Sequence, residues 1–330
     1  MFNRIIDFLF FFVEISGFEK IIQKIPSKII RILFTIFMYP VIFIIACFRL
    51  IYGRILWHND HNQLKNFDDD LSIVAIAKNE AEYLKEWIDY HSLLGITKFY
   101  IYDNESTDNT KEVLTPYINE GVVFYQFIPG KGKQHDAYND AIQNFSEKTR
   151  YMAFIDCDEF LLPLKSDDEN LPSLVCELLK NKKNVGGLGI NWNVFGSSGH
   201  EVKPKGLIID NYLYRTKNDG NFNDRIKSIV NPRLVKKMLT HYPEYYSGIY
   251  TISEKGNPIF GPLNRDFALN TIRINHYFTK SKEEWIQRRS LGKADFTNDE
   301  KRSVEQFYEN DKRDIYDTTI LKFSEKLKNK

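Results

Sequence analysis

The chain has 330 residues, of which 43% are hydrophobic and 27% charged, so it can bury one large core or two smaller ones. Its 45 Lys and Arg residues nearly balance 44 Asp and Glu residues, and this formal charge of +1 argues against non-specific binding to polyanions such as nucleic acid. The three cysteines are odd in number and have no CxxC spacing. Neither a disulfide framework nor a structural zinc site is indicated, which favours a reducing compartment.

The first predicted element is a membrane anchor. Residues 32–48 form a run of seventeen uncharged residues. A straight helix of that length spans about 26 Å, slightly less than a hydrocarbon core of about 30 Å. Pro40 lies near the middle of the run and leaves two alternatives open, a kinked spanning helix and a re-entrant hairpin. We predict a membrane-anchoring region over 1–57, with its hydrophobic core at about 29–51, in preference to a buried core helix.

A polar linker is predicted over 58–70, followed by a folded domain over 71–295 in which strands and helices alternate. LSIVAIA at 71–77 has the continuous apolar pattern of a strand buried on both faces, and Asn79 with Glu82 matches a capping box for the next helix. The alternation continues with a helix at 84–95, a strand at 98–103, a helix at 106–118, a strand at 122–127, a helix at 134–145 and a strand at 151–156. This order predicts an α/β fold with a mostly parallel sheet covered by helices.

Polar residues follow several of the predicted strands, at the edge where α/β sheets bind ligands. They are Lys78-Asn79-Glu80 after the first strand, Asp103-Asn104 after the second and Asp156-Cys157-Asp158 after the fourth. In an extended segment Asp156 and Asp158 point to the same side and can hold one hard divalent cation. An Asp-x-Asp pair also occurs in solvated turns, but its position after an apolar strand favours a metal site.

Several motifs occur together along the chain. They are KNEAEYLKEWIDYHSLLGITKFYIYDNESTD, FIDCDEFLLP, NWNVFGSSGH, KSIVNP, INHYFTKSKEEW and Gly292-Lys293-Ala294-Asp295. Through these motifs the sequence, from about Leu71 to Asp295, resembles glycosyltransferase family 92 and the bacterial family 2-like enzymes, which have the GT-A fold. The resemblance implies an inverting transfer of a sugar from a nucleotide-sugar donor, with UDP as the expected nucleotide, to a hydroxyl of a glycan or lipid-linked acceptor. It also implies Mn²⁺ or Mg²⁺ as cofactor and a role in cell-surface polysaccharide or lipopolysaccharide synthesis.

The resemblance implies roles for particular residues. The implied metal ligands are Asp156, Asp158 and His276. The residues that match the turns around the donor nucleotide are Ala77, Asn79, Glu80, Asp103 and Asn104. Three residues on other loops, namely Lys133, Gln134 and Lys280, are candidates for contact with the donor phosphates. Helix capping and simple solvation are the structural alternatives for these polar side chains.

An inverting transfer needs a base that removes the proton of the acceptor hydroxyl. The predicted strand GGLGINW is followed by FGSSGHE, which lacks the acidic pair usual in GT-A enzymes, so the base stays open. The candidates are His200, Glu201, Asp219 and Asp224. Trp192 and Phe195 precede this loop and are candidates for stacking on a sugar ring, with buried packing as the alternative.

Three other classes of protein share features with a transferase of this kind. A phosphohydrolase of the haloacid-dehalogenase type also places an Asp-x-Asp after a buried strand, with the first Asp as nucleophile, but on the first strand and not on the fourth. A nucleotidyltransferase should open with a glycine-rich phosphate loop, and KNEAEYL contains no glycine. A non-catalytic, membrane-tethered module that binds a glycan or a nucleotide would keep the same fold and stays open.

The end of the chain and its location complete the prediction. Residues 296–330 are highly charged and are predicted as a helical surface tail. We expect the protein at the inner membrane of a bacterium with the catalytic domain in the cytoplasm, because nucleotide sugars are made in the cytosol and an oxidising compartment would endanger the thiol of Cys157. In a eukaryote the same anchor would favour the Golgi lumen.

Overall fold

The computed structural model describes residues 2–62, 66–165, 170–218, 222–267, 269–288 and 303–330. The helices in these ranges are α1 (Phe2–Ser16), α2 (Glu19–Ile22), α3 (Lys28–Asn62), α4 (Ala81–Leu93), α5 (Thr110–Asn119), α6 (Gln134–Phe145), α7 (Leu171–Leu179), α8 (Ile208–Asn211), α9 (Lys282–Arg288), α10 (Val304–Asn310) and α11 (Ser324–Lys328). The strands are β1 (Asp69–Ala77), β2 (Phe99–Asp103), β3 (Val123–Phe127), β4 (Thr149–Phe154), β5 (Glu159–Pro163), β6 (Val185–Val194), β7 (Tyr214–Arg215), β8 (Ile226–Val230), β9 (Val235–Met238), β10 (Pro243–Tyr245), β11 (Tyr250–Ile252), β12 (Pro258–Ile259), β13 (Ile272–His276) and β14 (Ile315–Tyr316).

The main sheet has the strand order β12-β11-β6-β8-β4-β1-β2-β3, and β13, outside this order, pairs with β6 and β5. The four strands β4, β1, β2 and β3 are parallel, as their alternation with helices predicts. Strand β8 runs antiparallel between β4 and β6, so the complete sheet is mixed. The predicted α/β class is confirmed, and the carboxyl ends of β1, β2 and β4 meet at one edge of the sheet.

The two faces of the sheet are covered because the flanking helices carry apolar residues at helical spacing. On α4, Leu84, Trp87 and Ile88 are fully buried against one face. On the other face α6 covers the sheet, with Tyr138 fully buried and Phe145 almost so. Helix α6 has the bounds that its sequence pattern predicts, which places its first residue at the edge where the strands end.

The predicted capping box at the start of α4 is wrong. Asn79 has a φ of 55° and makes no cap, and Glu80 at the N-cap position makes no side-chain cap bond either. The backbone N–H of Ala81 instead donates to Asp108 Oδ2 at 3.1 Å. The cap therefore comes from the turn after β2, which no pattern within residues 79–82 can reveal.

The predicted surface tail is partly interior. In its described part, 303–330, the side chains of Ile320 and Phe323 are fully buried in the main core. The buried carboxylate of Asp317 accepts hydrogen bonds from Arg215 Nε at 2.6 Å and pairs with Arg273 Nη1 at 2.9 Å. The two arginines hold the pKa of Asp317 well below its usual range, against the opposing effect of burial. The end of the chain is therefore part of the folded domain.

The N-terminal region is helical, and α3 is one continuous helix through Pro40. The re-entrant hairpin at Pro40 is therefore not formed, and α3 includes the first residues of the predicted 58–70 linker. By length and composition alone, Lys28–His61 could cross a membrane. Its most apolar segment of 18 residues has a mean hydropathy of 2.4, and only 11% of that segment is buried within the protein. Phe12 and Val13 of α1 pack on Ile42 of α3 in a separate apolar cluster.

Candidate active site

The turn after β1 is tied to the turn after β2 by Asn79. Its side-chain Oδ1 accepts the backbone N–H of Thr107 at 2.7 Å and of Asp108 at 3.3 Å. Its own backbone N–H donates to Ser106 Oγ at 2.9 Å. Asn tolerates the left-handed conformation that this turn requires, because its short side chain bonds locally. Asn79 therefore shapes the strand ends around the candidate site.

Asp103, at the end of β2, is buried and also holds its own turn. One carboxylate oxygen accepts the backbone N–H of Ser106 at 2.9 Å, and the other accepts the hydroxyl of Tyr125 at 2.7 Å. Burial, and after it the carboxylate of Asp103, raises the pKa of Tyr125 to about 12. Both oxygens of Asp103 are thus engaged within the protein.

Asn104 links three strand ends through neutral hydrogen bonds. Its backbone N–H donates to the carbonyl oxygen of Ala77 at 2.8 Å. Its side-chain Nδ2 donates to the carbonyl oxygens of Ile128 and Gly130, both at 2.8 Å. The structure thus brings together the residues predicted at the first two strand ends and uses their side chains to fix the edge.

Two further candidates for donor binding meet across the site. Lys280, which is only 1% exposed, follows β13, and its Nζ lies 3.7 Å from Glu80 Oε2. The same ammonium group lies 3.6 Å from the ring centroid of Tyr83 on α4. The contact places a fixed positive charge beside the turn after β1.

Asp156, after β4, faces a buried lysine, Lys227, for which the sequence alone predicts no role. Its Oδ2 accepts Lys227 Nζ at 2.8 Å, and its Oδ1 accepts Gln134 Nε2 at 3.1 Å and the hydroxyl of Tyr138 at 3.3 Å. Lys227 lies on β8, in the KSIVNP motif, and its side chain is fully buried. The only signal for it in the sequence was its place in that motif.

Glu159 is the third member of this charged group, with Asp156 and Lys227. Its side chain is fully buried, and Lys227 Nζ lies 3.7 Å from its Oε2, which also accepts the backbone N–H of Asp156 at 2.9 Å. Burial alone would lower the pKa of Lys227, but the carboxylates of Asp156 and Glu159 outweigh it and raise that pKa. Burial raises the pKa of Glu159 well above its usual value, against the effect of Lys227. Lys227 is therefore a fixed cation at the end of β4.

Asp158 and His276 are brought together by strand pairing. Strand β13 pairs antiparallel with β5, with His276 opposite Glu159, and the Tyr277 backbone N–H donates to the carbonyl oxygen of Asp158 at 2.9 Å. As a result, His276 Nε2 lies 3.6 Å from Asp158 Oδ1. A carboxylate oxygen and an imidazole nitrogen at this separation can bind one divalent cation.

The three implied metal ligands are not equivalent. Among the residues that the structure describes, no group of three or more His, Cys, Asp or Glu side chains is arranged to hold a metal ion. Asp158 and His276 face each other, and both oxygens of Asp156 accept hydrogen bonds from Gln134 and Lys227. The donor set fits a cation held by two protein groups, with Asp156 beside them.

Two aromatic residues extend the site beyond His276. The ring of Trp192 lies 4.3 Å from that of His276 and 5.2 Å from that of His241, and Trp192 Nε1 is buried without a hydrogen-bond partner in the described chain. His241 Nδ1 lies 3.0 Å from the carbonyl oxygen of Ile226. Burial and the charge of Lys227 lower the pKa of His241 to about 4, so its imidazole is neutral at pH 7. No local pattern marked His241.

Two of the candidate bases, His200 and Glu201, are engaged elsewhere. His200 Nε2 lies 3.2 Å from the carbonyl oxygen of Asn211. The carboxylate of Glu201 is exposed and lies 3.1 Å from Lys282 Nζ. These contacts join the loop after β6 to Asn211 of α8 and to Lys282 of α9, and they do not involve the Asp158–His276 pair.

Asp224 is the candidate base closest in sequence to the charged group. It is half-buried, its carbonyl oxygen accepts the backbone N–H of Asn264 at 2.6 Å, and it lies three residues before Lys227, just ahead of β8. The fourth candidate, Asp219, lies outside the described residues, as does the 292–295 motif.

The remaining candidates take ordinary structural positions. Lys133 Nζ pairs with Asp136 at 2.7 Å at the start of α6. Phe195 is fully buried, with its ring 5.1 Å from that of Tyr277, so it packs in the core. Of the two predicted stacking residues, Trp192 alone lies beside the candidate ligands.

Comparison with known proteins identifies relatives of this chain. The model of glycosyltransferase family 92 matches residues 72–328. A glycosyltransferase family 92 protein of Oryza sativa subsp. japonica is 28% identical over 182 residues, which are 53% of this chain and 29% of the relative. One of Arabidopsis thaliana is 27% identical over 183 residues, which are 54% of this chain and 31% of the relative. The matched segments thus span about a third of the relatives' length.

Solved structures give weaker likenesses. S. aureus TarS 1–349 in complex with UDP has a TM-score of 0.35 and 12% identity over 50% of this chain and 47% of that one. Glucosyl-3-phosphoglycerate synthase from Mycobacterium tuberculosis, in complex with Mn²⁺, UDP and glucosyl-3-phosphoglycerate, has a TM-score of 0.25 and 19% identity over 42% of this chain and 47% of that one. TM-scores this low carry no argument about the ligands of this chain.

Proposed function

The chain belongs to glycosyltransferase family 92 and is a transferase, and on that premise we propose that it moves a sugar from a UDP-linked donor to a hydroxyl of a glycan or lipid-linked acceptor. We include in the proposal a divalent cation, Mn²⁺ or Mg²⁺, and inversion at the anomeric carbon. The observation that carries the proposal is the approach of His276 Nε2 to within 3.6 Å of Asp158 Oδ1 at the edge where the strands of an α/β sheet end.

Asp158 and His276 would hold the cation, with the rest of its shell supplied by the donor diphosphate and water. When bound, the cation neutralises the diphosphate and assists its departure. Asp156 would act beside these ligands, because Lys227, Gln134 and Tyr138 fix its carboxylate in one orientation. This arrangement is consistent with the observed contacts, in which Asp156 pairs with Lys227 and Asp158 faces His276.

The two lysines of the site, Lys227 and Lys280, would act on different groups. Lys227 is buried between Asp156 and Glu159, so it offsets two carboxylates that would otherwise repel a diphosphate. Lys280 stands beside Glu80, at the turn that matches donor binding, and can meet a phosphate oxygen as a point charge. The amide-rich turns at Asn79 and Asn104 would present backbone groups to the nucleotide.

The base is proposed to be Asp224, since the observed contacts of His200 and Glu201 turn them toward other partners. Asp224 lies two residues before β8, the strand that carries Lys227, so its backbone is held in place. It is half-buried, which leaves its carboxylate accessible to solvent or to an acceptor. Its role would be to accept the proton of the acceptor hydroxyl as the new glycosidic bond forms.

The proposed location is the inner face of a bacterial inner membrane, with the product a cell-surface polysaccharide or lipopolysaccharide. The support is the length and apolar composition of α3. Protease treatment of right-side-out and inverted membrane vesicles tests it. We expect the catalytic domain to be degraded in inverted vesicles only, and degradation in right-side-out vesicles would place it on the other face.

The transferase proposal is tested by hydrolysis of a panel of UDP-sugars in the presence of Mn²⁺. We expect one or a few donors to be turned over, and Asp158→Asn to lower that rate at least about 100-fold because it removes a metal ligand. Asp70→Asn, at the opposite end of β1 and 54% exposed, is the matched control. Turnover by Asp158→Asn at the wild-type rate would contradict the assignment.

A further inference from the structure

Helix α3 carries an exposed apolar stripe from one end to the other. Ile30, Leu33, Phe37, Ile44, Ile51 and Ile55 are all exposed and follow one another by three, four or seven residues. These spacings place them on one face of an α-helix, and the stripe is about 38 Å long at 1.5 Å per residue. A stripe of this size on a soluble surface requires a partner.

The opposite face of the same helix is packed on the catalytic domain. Gly53 lies so close to the loop that a Cβ atom on it would come within 2.5 Å of the carbonyl carbon of Gly248. One turn further on, Trp57 is buried in an apolar cluster with Leu234 and Ile249. The second half of α3 is thus in backbone contact with the domain.

Polar contacts fix this packing. Arg233 Nε donates to Asp60 Oδ1 at 2.6 Å, and Asn231 Nδ2 donates to Asp60 Oδ2 at 2.6 Å. Asn184 Nδ2 donates to the carbonyl oxygen of Leu50 at 2.8 Å. These bonds hold the helix from Leu50 to Asp60. The catalytic domain is therefore packed rigidly against α3 and is not attached to it through a flexible linker.

The domain also reaches the first half of the helical region through α1. The ring of Phe11 lies 5.5 Å from Tyr250 and 6.0 Å from Phe260, both in the catalytic domain. Its neighbour Phe12 lies 4.8 Å from Phe43 of α3. The catalytic domain therefore extends alongside α3 back to about residue 42.

This packing leaves too little free helix for a span. The part of α3 before Ile42 has 14 residues and is about 21 Å long, against a hydrocarbon core of about 30 Å. In a spanning geometry the apolar residues Ile51 and Ile55, beyond the first contacts with the domain, would face water. A helix that lies along the membrane surface buries the whole stripe.

We propose that α3 lies in the plane of the membrane interface, with its stripe in lipid and its other face on the catalytic domain. The proposal rests on the membrane association in the proposed function and adds its geometry. Residues 2–62 carry seven Lys or Arg against four Asp or Glu, and Lys24, Lys28 and Arg54 are exposed beside the stripe or at its ends. This charge matches anionic lipid headgroups.

The direct test is the depth of three positions on the stripe. Leu33→Cys, Ile44→Cys and Ile55→Cys are eleven residues apart on one face and together cover about 33 Å of helix. Each is introduced into full-length protein whose native Cys47, Cys157 and Cys176 are replaced by Ala, spin-labelled and bound to vesicles of phosphatidylglycerol and phosphatidylcholine. Accessibility to oxygen and to a water-soluble nickel complex then gives the depth of each label.

We expect the three labels to lie at the same depth within a few Å, just below the headgroups. A steady change of depth along the helix, with one label near each surface, would show a span and overturn the proposal. Three labels in water would overturn it as well. UDP-sugar hydrolysis by the same proteins in detergent is measured in parallel. A failure of the transferase proposal is then seen separately from a failure of the proposed orientation of α3 in the membrane.

A second variant tests the stripe without labels. Ile44→Asp should weaken binding to the anionic vesicles at least about tenfold, because it places a charge where the proposal places an apolar side chain in lipid. The control is Val202→Asp, an equally apolar exposed position on the catalytic domain, at 68% exposure, which should leave vesicle binding unchanged. Equal binding by Ile44→Asp and wild-type protein would contradict the proposed contact.

Discussion

The two rims of the candidate site use their polar side chains in different ways. The amide rim consists of Asn79, Asp103 and Asn104, and the charged rim consists of Asp156, Asp158, Glu159, Lys227 and His276. The side chains of the amide rim bond mainly to backbone groups and hold three strand ends in place. In the charged rim, ionisable groups face one another. The comparison teaches that one rim fixes the shape of the edge and the other concentrates its ionisable groups.

The largest expected effect comes from removing the ammonium group of Lys227 from the charged rim. Lys227→Met leaves Asp156 and the buried Glu159 without their positive partner, so we expect the free energy of unfolding to fall by about 3–5 kcal/mol. Urea unfolding measures it. Lys255→Met is the control, since its pair with Asp266 is exposed and contributes about 1 kcal/mol or less. A loss as small as that of the control would show that Lys227 is not the charge that holds the rim together.

A second experiment asks whether the charged rim extends to Asp224. Asp224→Asn should lower the kcat of transfer by about 10²–10⁴-fold if its carboxylate takes the acceptor proton, while the Kd for UDP stays unchanged. Glu201→Gln, whose carboxylate is exposed beside Lys282, is the matched control and should change neither quantity. If instead Glu201→Gln lowers kcat and Asp224→Asn does not, the base is Glu201, on the loop after β6.

A buried carboxyl outside both rims sharpens the comparison, because Glu86 has two backbone donors, whereas Glu159 has one backbone donor and the ammonium group of Lys227. Its oxygens accept the backbone N–H groups of Ile208 and Ile209 at 2.7 and 3.1 Å. Burial raises the pKa of Glu86 from 4.5 to about 7, against the effect of these bonds. The folded state then holds this proton more tightly than the unfolded state, so this group's contribution to stability is present below pH 4.5 and is lost as the pH rises toward 7.

Glu86→Gln should remove that contribution. The wild-type free energy of unfolding should fall by up to about 3 kcal/mol relative to the variant between pH 4.5 and pH 7. Glu112→Gln, at an exposed position of α5, serves as control and should keep the wild-type slope. Parallel curves for wild type and Glu86→Gln would mean that Glu86 titrates as an ordinary carboxyl.

The smallest effect is expected in the amide rim. Asn104→Ala leaves the carbonyl oxygens of Ile128 and Gly130 without a donor, and we expect unfolding to become easier by about 1–3 kcal/mol. Because the rim is structural, the loss should be the same in Mn²⁺ and in EDTA. Asn310→Ala, at an exposed amide, is the control. A loss that appears only with metal would move Asn104 into the chemistry of the site.

The first half of the sheet could be predicted because its signals are local. Each of β1 to β4 is a short apolar run, and each intervening helix repeats apolar residues within a dozen positions, so α6 was predicted with its observed bounds. The second half depends on pairing between distant segments. Strand β8 enters between β4 and β6 in the antiparallel sense, and β13 pairs with β5 more than a hundred residues earlier.

The same distinction holds for the site. The sequence places Asp156 and Asp158 at the end of a strand and His276 within a motif, and their roles as metal ligands stay predictions. Lys227 could not be given a role, because a lysine within the apolar strand IKSIV has no meaning until β8 is placed beside β4. The incorrect capping box has the same cause, since Asp108, which caps α4, lies 27 residues beyond the backbone N–H of Ala81 that it accepts.

The central claim is that the charged rim binds a nucleotide diphosphate through a cation held by Asp158 and His276. Calorimetric titration of the full-length protein with UDP, in Mn²⁺ and in EDTA, tests it most directly, with Asp158→Asn and the control Asp70→Asn titrated alongside. We expect Mn²⁺ to strengthen UDP binding at least about 100-fold in wild type and in Asp70→Asn, and to have no effect in Asp158→Asn. Equal UDP affinity with and without Mn²⁺ in the wild-type protein would contradict the claim.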